Sequence, residues 1–108
     1  MDIYHIGCDL APGADATAFT DAVKAWLGHL RHQGALERFR ITRRKLGLSS
    51  LEIGEFHIMI ETRDLAQLDA AFDIAARNEE PARSLHAAVY TKVKNTRFAL
   101  YRDFPQQG

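Results

Sequence analysis

The stretch that most constrains the fold of this chain is residues 54–62, GEFHIMIET. Phe56, Ile58 and Ile60 alternate with polar side chains, which is the two-residue period of a β-strand with one face in a hydrophobic core. The other face carries two glutamates, a methionine and His57, a mixture that suits a lined cavity or a wet interface. The stretch therefore predicts an inner strand of an α+β sheet.

The rest of the chain shows three more strand-like stretches and three helical ones. Asp15 and Asp64 are predicted N-caps, because a carboxylate there accepts a hydrogen bond from the first turn. Gly34 and Asn78 are predicted stops, since both tolerate the left-handed conformation that ends many helices. The predicted strands are residues 2–10, 36–46, 54–62 and 96–102, with helices from Asp15 to Gly34, from Asp64 to Asn78 and over 82–93.

This order predicts one domain, residues 1–108, with a ferredoxin-like βαββαβ fold and a small extra helix before the last strand. Helices should cover one face of the four-stranded antiparallel sheet, whose apolar residues are Tyr4, Ile6, Phe39, Ile41, Phe56, Ile58, Ile60, Phe98 and Leu100. The other face, called the outer face below, holds His5, Gly7, Asp9, Arg38, Arg40, Thr42, Arg44, Glu55, His57, Met59, Glu61, Arg97, Ala99 and Tyr101.

Charge and composition exclude several classes of function. Fourteen basic side chains balance fourteen acidic ones, and proteins that bind nucleic acid through phosphates need a positive excess. No apolar run approaches the roughly 20 residues needed to span a bilayer, and the first residues lack a signal-peptide pattern. The single cysteine, Cys8, cannot form an internal disulfide. We therefore expect a cytoplasmic protein with no nucleic-acid or membrane partner.

The outer face admits two interpretations. It is either a solvated sheet surface, which antiparallel sheets tolerate, or it packs against the same face of a second copy. Ile3, Met59, Ala99 and Tyr101 favour some cover. We expect a homodimer in which the two sheets close an α+β barrel.

Several segments resemble the dimeric α+β barrel superfamily, and more narrowly a small bacterial group within it that has no assigned function. They are the strand 2–10 with its Ala-Pro-Gly end, the long first helix, the hairpin around 47–54 and the closing residues 98–105. The resemblance implies a homodimer with a cleft between helices and sheet or within the barrel. The superfamily includes cofactor-independent monooxygenases, haem-degrading enzymes, lactone isomerases, stress proteins and ligand-sensing domains. The haem-degrading members use a first-strand asparagine and a tryptophan in the second half, and this chain has neither.

The predicted catalytic residues are His57, His5 and Glu55. A near-neutral histidine acts as acid or base, and a neighbouring carboxylate fixes its tautomer. In a ferredoxin-like sheet the first and third strands are neighbours, so His5 is expected to approach His57. The alternative is a histidine that hydrogen-bonds across strands in a dimer interface. A metal site of two histidines with Asp9 or Glu55 is conceivable, but nothing in the spacing requires it, and we predict neither metal nor cofactor.

Arg40, Arg44 and Tyr101 are the predicted substrate-binding residues. Arginines on one face clamp a carboxylate or phosphate, although the same face holds glutamates that would pair with them. Pairing inward from Gly47 and Gly54 places Arg40 near Glu61 and Arg44 near His57. On the third helix, His86 and Tyr90 either face a ligand at the cleft mouth or lie on a solvated surface.

The function predicted from these observations is the binding of a small polar or anionic organic molecule. The activity would be a proton-transfer isomerisation or a cofactor-independent oxygenation, although whether the chain is an enzyme stays open at this point. The alternative is a non-enzymatic ligand-sensing or stress-response dimer whose polar face is only an interface.

Overall fold

The computed structural model describes residues 1–106 and has a four-stranded antiparallel sheet with three helices on one face. The strands lie in the order β2-β3-β1-β4, which is the predicted ferredoxin-like arrangement. Gln107 and Gly108, the end of the predicted tail, lie outside the described residues. The elements are β1 Asp2–Leu10, α1 Ala16–His32, β2 Arg38–Arg43, β3 Phe56–Thr62, α2 Leu65–Ala76, α3 Ala82–Tyr90 and β4 Val93–Arg102.

The predicted helix caps are confirmed. The Asp15 carboxylate accepts a hydrogen bond from the backbone N–H of Ala18 at 2.8 Å, and Asp64 accepts one from Gln67 at 2.9 Å. Gly34 and Asn78 follow α1 and α2 with φ of 75° and 59°, the left-handed conformation that the sequence predicts. Local chemistry is therefore enough to place both helices.

Several predicted bounds are wrong, including the start of β3, which is Phe56 rather than residue 54. β2 is shorter than residues 36–46, because Leu46 and Gly47 adopt positive φ and turn the chain away from the sheet. β4 begins at Val93 rather than at residue 96, since a bulge between its pairs with β1 keeps the earlier residues in the ladder. α3 ends at Tyr90 rather than at residue 93, because β4 already begins at Val93.

The register predicted for the hairpin of β2 and β3 is also wrong. Arg38, not Arg40, lies opposite Glu61, and their side chains form an ion pair at 3.0 Å. Arg40 lies opposite Met59, and Thr42 occupies the position opposite His57 that was predicted for Arg44. The prediction paired residues inward from Gly47 and Gly54, which assumed that the two strands leave the loop at equivalent positions.

In fact the loop of residues 44–55 folds back toward β1. The carbonyl of Ile53 occupies the space where a Cβ on Gly7 would stand. Gly54 also lies close to the backbone of Cys8, since a Cβ at this glycine would lie 2.7 Å from the Cys8 carbonyl oxygen. This asymmetric path displaces the pairing of β2 with β3 by two residues.

The core lies between the helices and the inner strands. Phe19, Val23, Leu27 and Leu30 of α1 are buried on the sheet face that carries Phe56, Ile58 and Ile60 of β3. The expectation that helices also cover β4 is wrong, because Phe98 and Leu100 are 59% and 50% exposed. β4 is an edge strand, and the helix layer leaves this edge open. Within residues 1–106, no helix combines the length and the apolar character that crossing a bilayer requires.

Candidate functional site

Three of the predicted site residues meet on the outer face. Nδ1 of His5 and Nε2 of His57 lie 2.8 Å apart, and the two rings stack with centroids 5.0 Å apart. The ring of Tyr101 packs edge-on against His5 at 4.9 Å. One ring of such a pair donates its N–H and the other must offer a lone pair, so at most one of the two histidines carries a charge.

Burial lowers the pKa of His57, and the charge of neighbouring His5 lowers the pKa further. Both causes disfavour a second positive charge at this point of the sheet. His57 is therefore a neutral imidazole at neutral pH, able to accept a hydrogen bond or a proton.

The pair lines an open concavity of about 470 Å³ on the outer face. Tyr101 and Arg97 of β4 form one wall, and residues 51–53 of the β2–β3 loop form another. The approach of the loop to Gly7 creates this wall, which strand periodicity alone does not predict.

The other predicted site residues lie elsewhere. Glu55 precedes β3 and binds Arg43, with an Oε2–Nη2 distance of 2.7 Å, and it does not line the concavity within the described residues. Arg40 and Arg44 do not line the concavity within the described residues. The expected use of outer-face glutamates to pair with arginines is seen instead, at Arg38 and Glu61.

A second space lies on the opposite side of the sheet, between it and the helices. This sheet–helix cavity has a volume of about 260 Å³ and walls made almost entirely of apolar side chains. Ile58 and Tyr4 form part of its floor, Trp26 part of its helical wall, and Phe98 part of its open edge. The resemblance implies a cleft at this place, but none of the predicted site residues lies in it.

Polar groups in the cavity wall are few. His86 of α3 stacks on the ring of Trp26 with centroids 4.8 Å apart, and Tyr90 packs edge-on against His86 at 5.1 Å. Burial lowers the pKa of His86, which is therefore neutral at neutral pH. Burial also raises the pKa of the Tyr4 hydroxyl. The cavity thus offers one neutral imidazole, one neutral phenol and the hydroxyl of Thr96.

Cys8 also lines this cavity, and its thiol is inert. Burial, and then the charge of Asp9, raises the pKa of Cys8 to about 11. The thiolate is the reactive form of cysteine, and a thiol with so high a pKa stays protonated at neutral pH. Cys8 therefore packs in the cavity wall and is not a nucleophile.

The sequence carried a partial signal for the cavity. His86 and Val89 lie three residues apart on α3, and both line it. The size of the gap depends on how three helices pack, which no local pattern encodes. For metals the finding is limited to residues 1–106, where no three histidine, cysteine or acidic side chains cluster closely enough to hold an ion.

The full length of the chain, residues 1–108, matches the model of a family of unknown function, DUF6614. The chain belongs to this family. The match confirms the resemblance to a small uncharacterised group. No curated protein matches the chain.

Solved structures similar to this DUF6614 protein share its fold at low sequence identity. A variant of SnoaB, a cofactor-independent oxygenase from Streptomyces nogalater, is 8% identical over 95% of this chain and 93% of its own, with a TM-score of 0.69. A dimeric ferredoxin-like protein of unknown function from Jannaschia is 16% identical over 95% and 100%, with a TM-score of 0.65. An antibiotic biosynthesis monooxygenase is 15% identical over 97% and 100%, with a TM-score of 0.66. These likenesses establish the ferredoxin-like fold.

Proposed function

We propose that this DUF6614 protein is a homodimer that binds a small, largely apolar aromatic molecule in the sheet–helix cavity. The observation that carries the proposal is the cavity itself, an apolar space with a neutral imidazole, His86, stacked on Trp26 in its wall. Small-molecule sites are mostly apolar spaces with a few polar groups that orient the ligand.

The chemistry of the wall decides the ligand class. No arginine or lysine lines the cavity among the described residues, so an anion inside it would lose its hydration without gaining a counter-charge. The volume of about 260 Å³ lies just below the usual range of roughly 300–1,000 Å³ for ligand pockets. A molecule of one or two rings with a single hydroxyl or carbonyl group fits these limits better than the polar or anionic ligand expected from the sequence.

The homodimer is supported by the outer face and by the similar Jannaschia protein, which is described as dimeric. Tyr101 is largely exposed in the single chain, although its ring is a large apolar surface. A second outer face packed against the first would cover it. We place this dimer in the cytoplasm, a proposal supported by the single, unpaired Cys8.

The binding proposal is tested with Trp26, the only tryptophan of the chain, which lines the cavity. Titration with 2-naphthol, a two-ring phenol, is expected to quench tryptophan fluorescence saturably. Ala75→Phe fills the cavity from its half-buried wall and should weaken the apparent affinity at least tenfold. Ala70→Phe is the matched control on the exposed side of the same helix and should leave the affinity unchanged. Equal affinities for the two variants would refute the proposal.

A second candidate is a catalytic version of the same site, favoured by the neutral His86 in the cavity wall. His86 would take a proton from an acidic methylene group of the ligand, and the carbanion would then react with O₂. One oxygen atom enters as a carbonyl and the other leaves as water, so the methylene carbon supplies all four electrons. The printed description of SnoaB as a cofactor-independent oxygenase supports this chemistry, and reprotonation at another carbon would make it an isomerisation.

Proton transfer can be measured without knowing the natural substrate. The bicyclic ketone 2-tetralone has an acidic benzylic methylene, and its deuterium exchange is followed by NMR while an electrode follows O₂ uptake. Wild type should exchange the methylene protons at least tenfold faster than the His86→Gln variant. Uptake of O₂ during the same reaction would identify the protein as an oxygenase. Binding of 2-tetralone with no accelerated exchange would identify a non-enzymatic binding protein instead.

The outer-face cluster is a separate candidate, favoured by the 2.8 Å approach of His5 to His57. As a site, it would use His57 and His5 for proton transfer and Tyr101 for positioning. As a dimer interface, which we call a seam, it would only hold two protomers together. A His57→Ala variant that stays dimeric and keeps its melting temperature but loses ligand binding identifies a site. Dissociation of the dimer identifies a seam.

A further inference from the structure

The loop between β2 and β3, residues 44–55, exposes three leucines in six residues. Leu46, Leu48 and Leu51 are 81%, 78% and 64% exposed. Burying one leucine side chain is worth roughly 1.5–3 kcal/mol, so three neighbouring exposed leucines form a surface that gains from cover.

The loop presents these side chains in a defined shape. The backbone N–H of Leu48 donates to the carbonyl of Lys45 at 3.0 Å, and the Ser49 hydroxyl donates to the carbonyl of Leu51 at 2.7 Å. Leu46 adopts φ of 57°, a left-handed conformation that costs a non-glycine residue about 1 kcal/mol or more. The loop therefore forms a folded apolar tip.

A second exposed apolar surface surrounds the mouth of the sheet–helix cavity. We call this surface the rim, and it consists of Phe72 of α2 with Phe98 and Leu100 of β4, all about half exposed. Tyr4 joins the two elements, with its ring 5.4 Å from that of Phe72 and 5.9 Å from that of Phe98. The rim has no cover within the described chain.

The loop cannot cover the rim of its own chain. Its Ile53 lies over Gly7 on the outer face, whereas the rim lies on the helix face. Leu100 pairs with Tyr4, three residues along β1 from Gly7, which adds about 10 Å of strand to the separation. The two apolar surfaces of one chain therefore do not cover each other.

The charges at the start of the loop are complementary to those of α2. Arg44 and Lys45 precede the leucines, and neither forms an ion pair within residues 1–106. Asp69 and Asp73 flank Phe72 on α2, which contains no basic residue. Opposite charges beside matching apolar surfaces favour one orientation of approach.

We propose that the β2–β3 loop of each protomer docks on the rim of its partner and closes the mouth of the partner's ligand cavity. The inference rests on the homodimer and the cavity of the proposed function. In a dimer joined by the outer faces, each loop would reach the other chain's rim around the open β4 edge of that chain, and twofold symmetry makes the contact occur twice. Each cavity is then complete only in the dimer.

The contact is tested by cysteine pairing between two separately purified variants, both carrying Cys8→Ala. One variant carries Leu48→Cys in the loop and the other carries Phe72→Cys in the rim. Mixed, exchanged and oxidised, they should form a disulfide-linked heterodimer. Lys24→Cys, on the exposed side of α1, replaces Phe72→Cys in the control mixture and should give at least tenfold less product.

Each outcome of this experiment decides the inference. A sedimenting dimer with no Leu48–Phe72 disulfide, or with equal product in the control, overturns the loop contact while the homodimer stands. A monomer overturns both. Binding to phosphatidylglycerol vesicles that depends on Leu48, without the disulfide, assigns the loop to a lipid surface instead. A disulfide between the variants, with no 2-naphthol binding by the wild-type protein, supports the contact and removes the proposed ligand class.

Discussion

Gly7 shows how a single position links the loop to the sheet. It lies in β1 opposite His57, and the backbone of Ile53 crosses directly over it. Any side chain would occupy the space of the loop, so this glycine is needed for close approach rather than for an unusual backbone angle. The concavity next to His5 and His57 depends on this contact.

We expect Gly7→Ala to destabilise the protein by about 1–3 kcal/mol, the usual cost of overpacking. The added Cβ would overlap the Ile53 carbonyl and lie 2.7 Å from its Cγ2 atom. Gly28→Ala is the control, because this glycine of α1 has open space around its Cβ position and helix propensity should add up to about 1 kcal/mol. Urea unfolding measures both, and an unchanged free energy of unfolding for Gly7→Ala would contradict the structure.

The two half-buried histidines predict how stability depends on pH. The pKa values of His57 and His86 are lowered in the folded protein, mainly by burial, so the unfolded chain binds more protons as pH falls. Stability is therefore full above the ordinary histidine pKa of about 6.5 and decreases as pH falls through the lowered values.

The free energy of unfolding, measured from pH 8 down to pH 5, should show this decrease. The His86→Gln variant should have a shallower slope than wild type in that range. His32→Gln, which removes an exposed histidine at the end of α1, is the matched control and should keep the wild-type slope. A slope that is the same in all three proteins would contradict the assignment.

The irregular pairing of β1 with β4 has a specific polar support. The Asp9 carboxylate accepts hydrogen bonds from the backbone N–H of Glu55 at 2.9 Å and from the Asn95 side chain at 3.1 Å. Asn95 adopts φ of 55° at the bulge, a conformation that asparagine tolerates better than most residues. The bond from Asn95, followed by that from Glu55, lowers the pKa of Asp9. One side chain therefore joins the end of the β2–β3 loop to the start of β4.

We expect Asp9→Ala to cost about 1–2 kcal/mol, because it removes the acceptor of two hydrogen bonds. Asp21→Ala, an exposed acid on α1, is the control and should change stability by less than about 0.5 kcal/mol. Thermal unfolding at pH 7 measures both variants. If Asp9→Ala proves as mild as Asp21→Ala, the bulge does not depend on this contact.

The two faces of the sheet give the molecule two concave surfaces with different chemistry. The helix face encloses an apolar cavity, and the outer face carries the histidine pair with charged neighbours. In the proposed homodimer, the outer face becomes internal and the cavity stays near the helices. Folding and association are then coupled.

Coupled folding and association predict a melting temperature that depends on concentration. Raising the protein concentration 100-fold changes the association term by about 2.7 kcal/mol, which corresponds to about 5 °C for a dimer of this size. Calorimetry at 1 and 100 μM measures the shift, and sedimentation gives the mass at both concentrations. A melting temperature independent of concentration, with a monomer mass, would exclude the dimer.

Much of the fold could be predicted from the sequence, because its signals are local. Alternation identified the inner strand with Phe56, and Asp15 and Asp64 placed the helix starts. The neighbourhood of His5 and His57 followed from strand order. The partners of Glu55 and Arg40 did not follow, since a shift of two residues keeps the same face while changing every cross-strand neighbour.

The sequence by itself thus determined the elements, their order, the two faces of the sheet and the approach of His5 to His57. Only the tertiary structure decided the register of β2, the path of the β2–β3 loop over Gly7, the exposure of Phe98 and the cavity beside His86. The physical reason is the distance along the chain over which each interaction acts. Caps and periodicity act over a few residues, whereas a cavity and a loop path are set by packing between segments far apart in the chain.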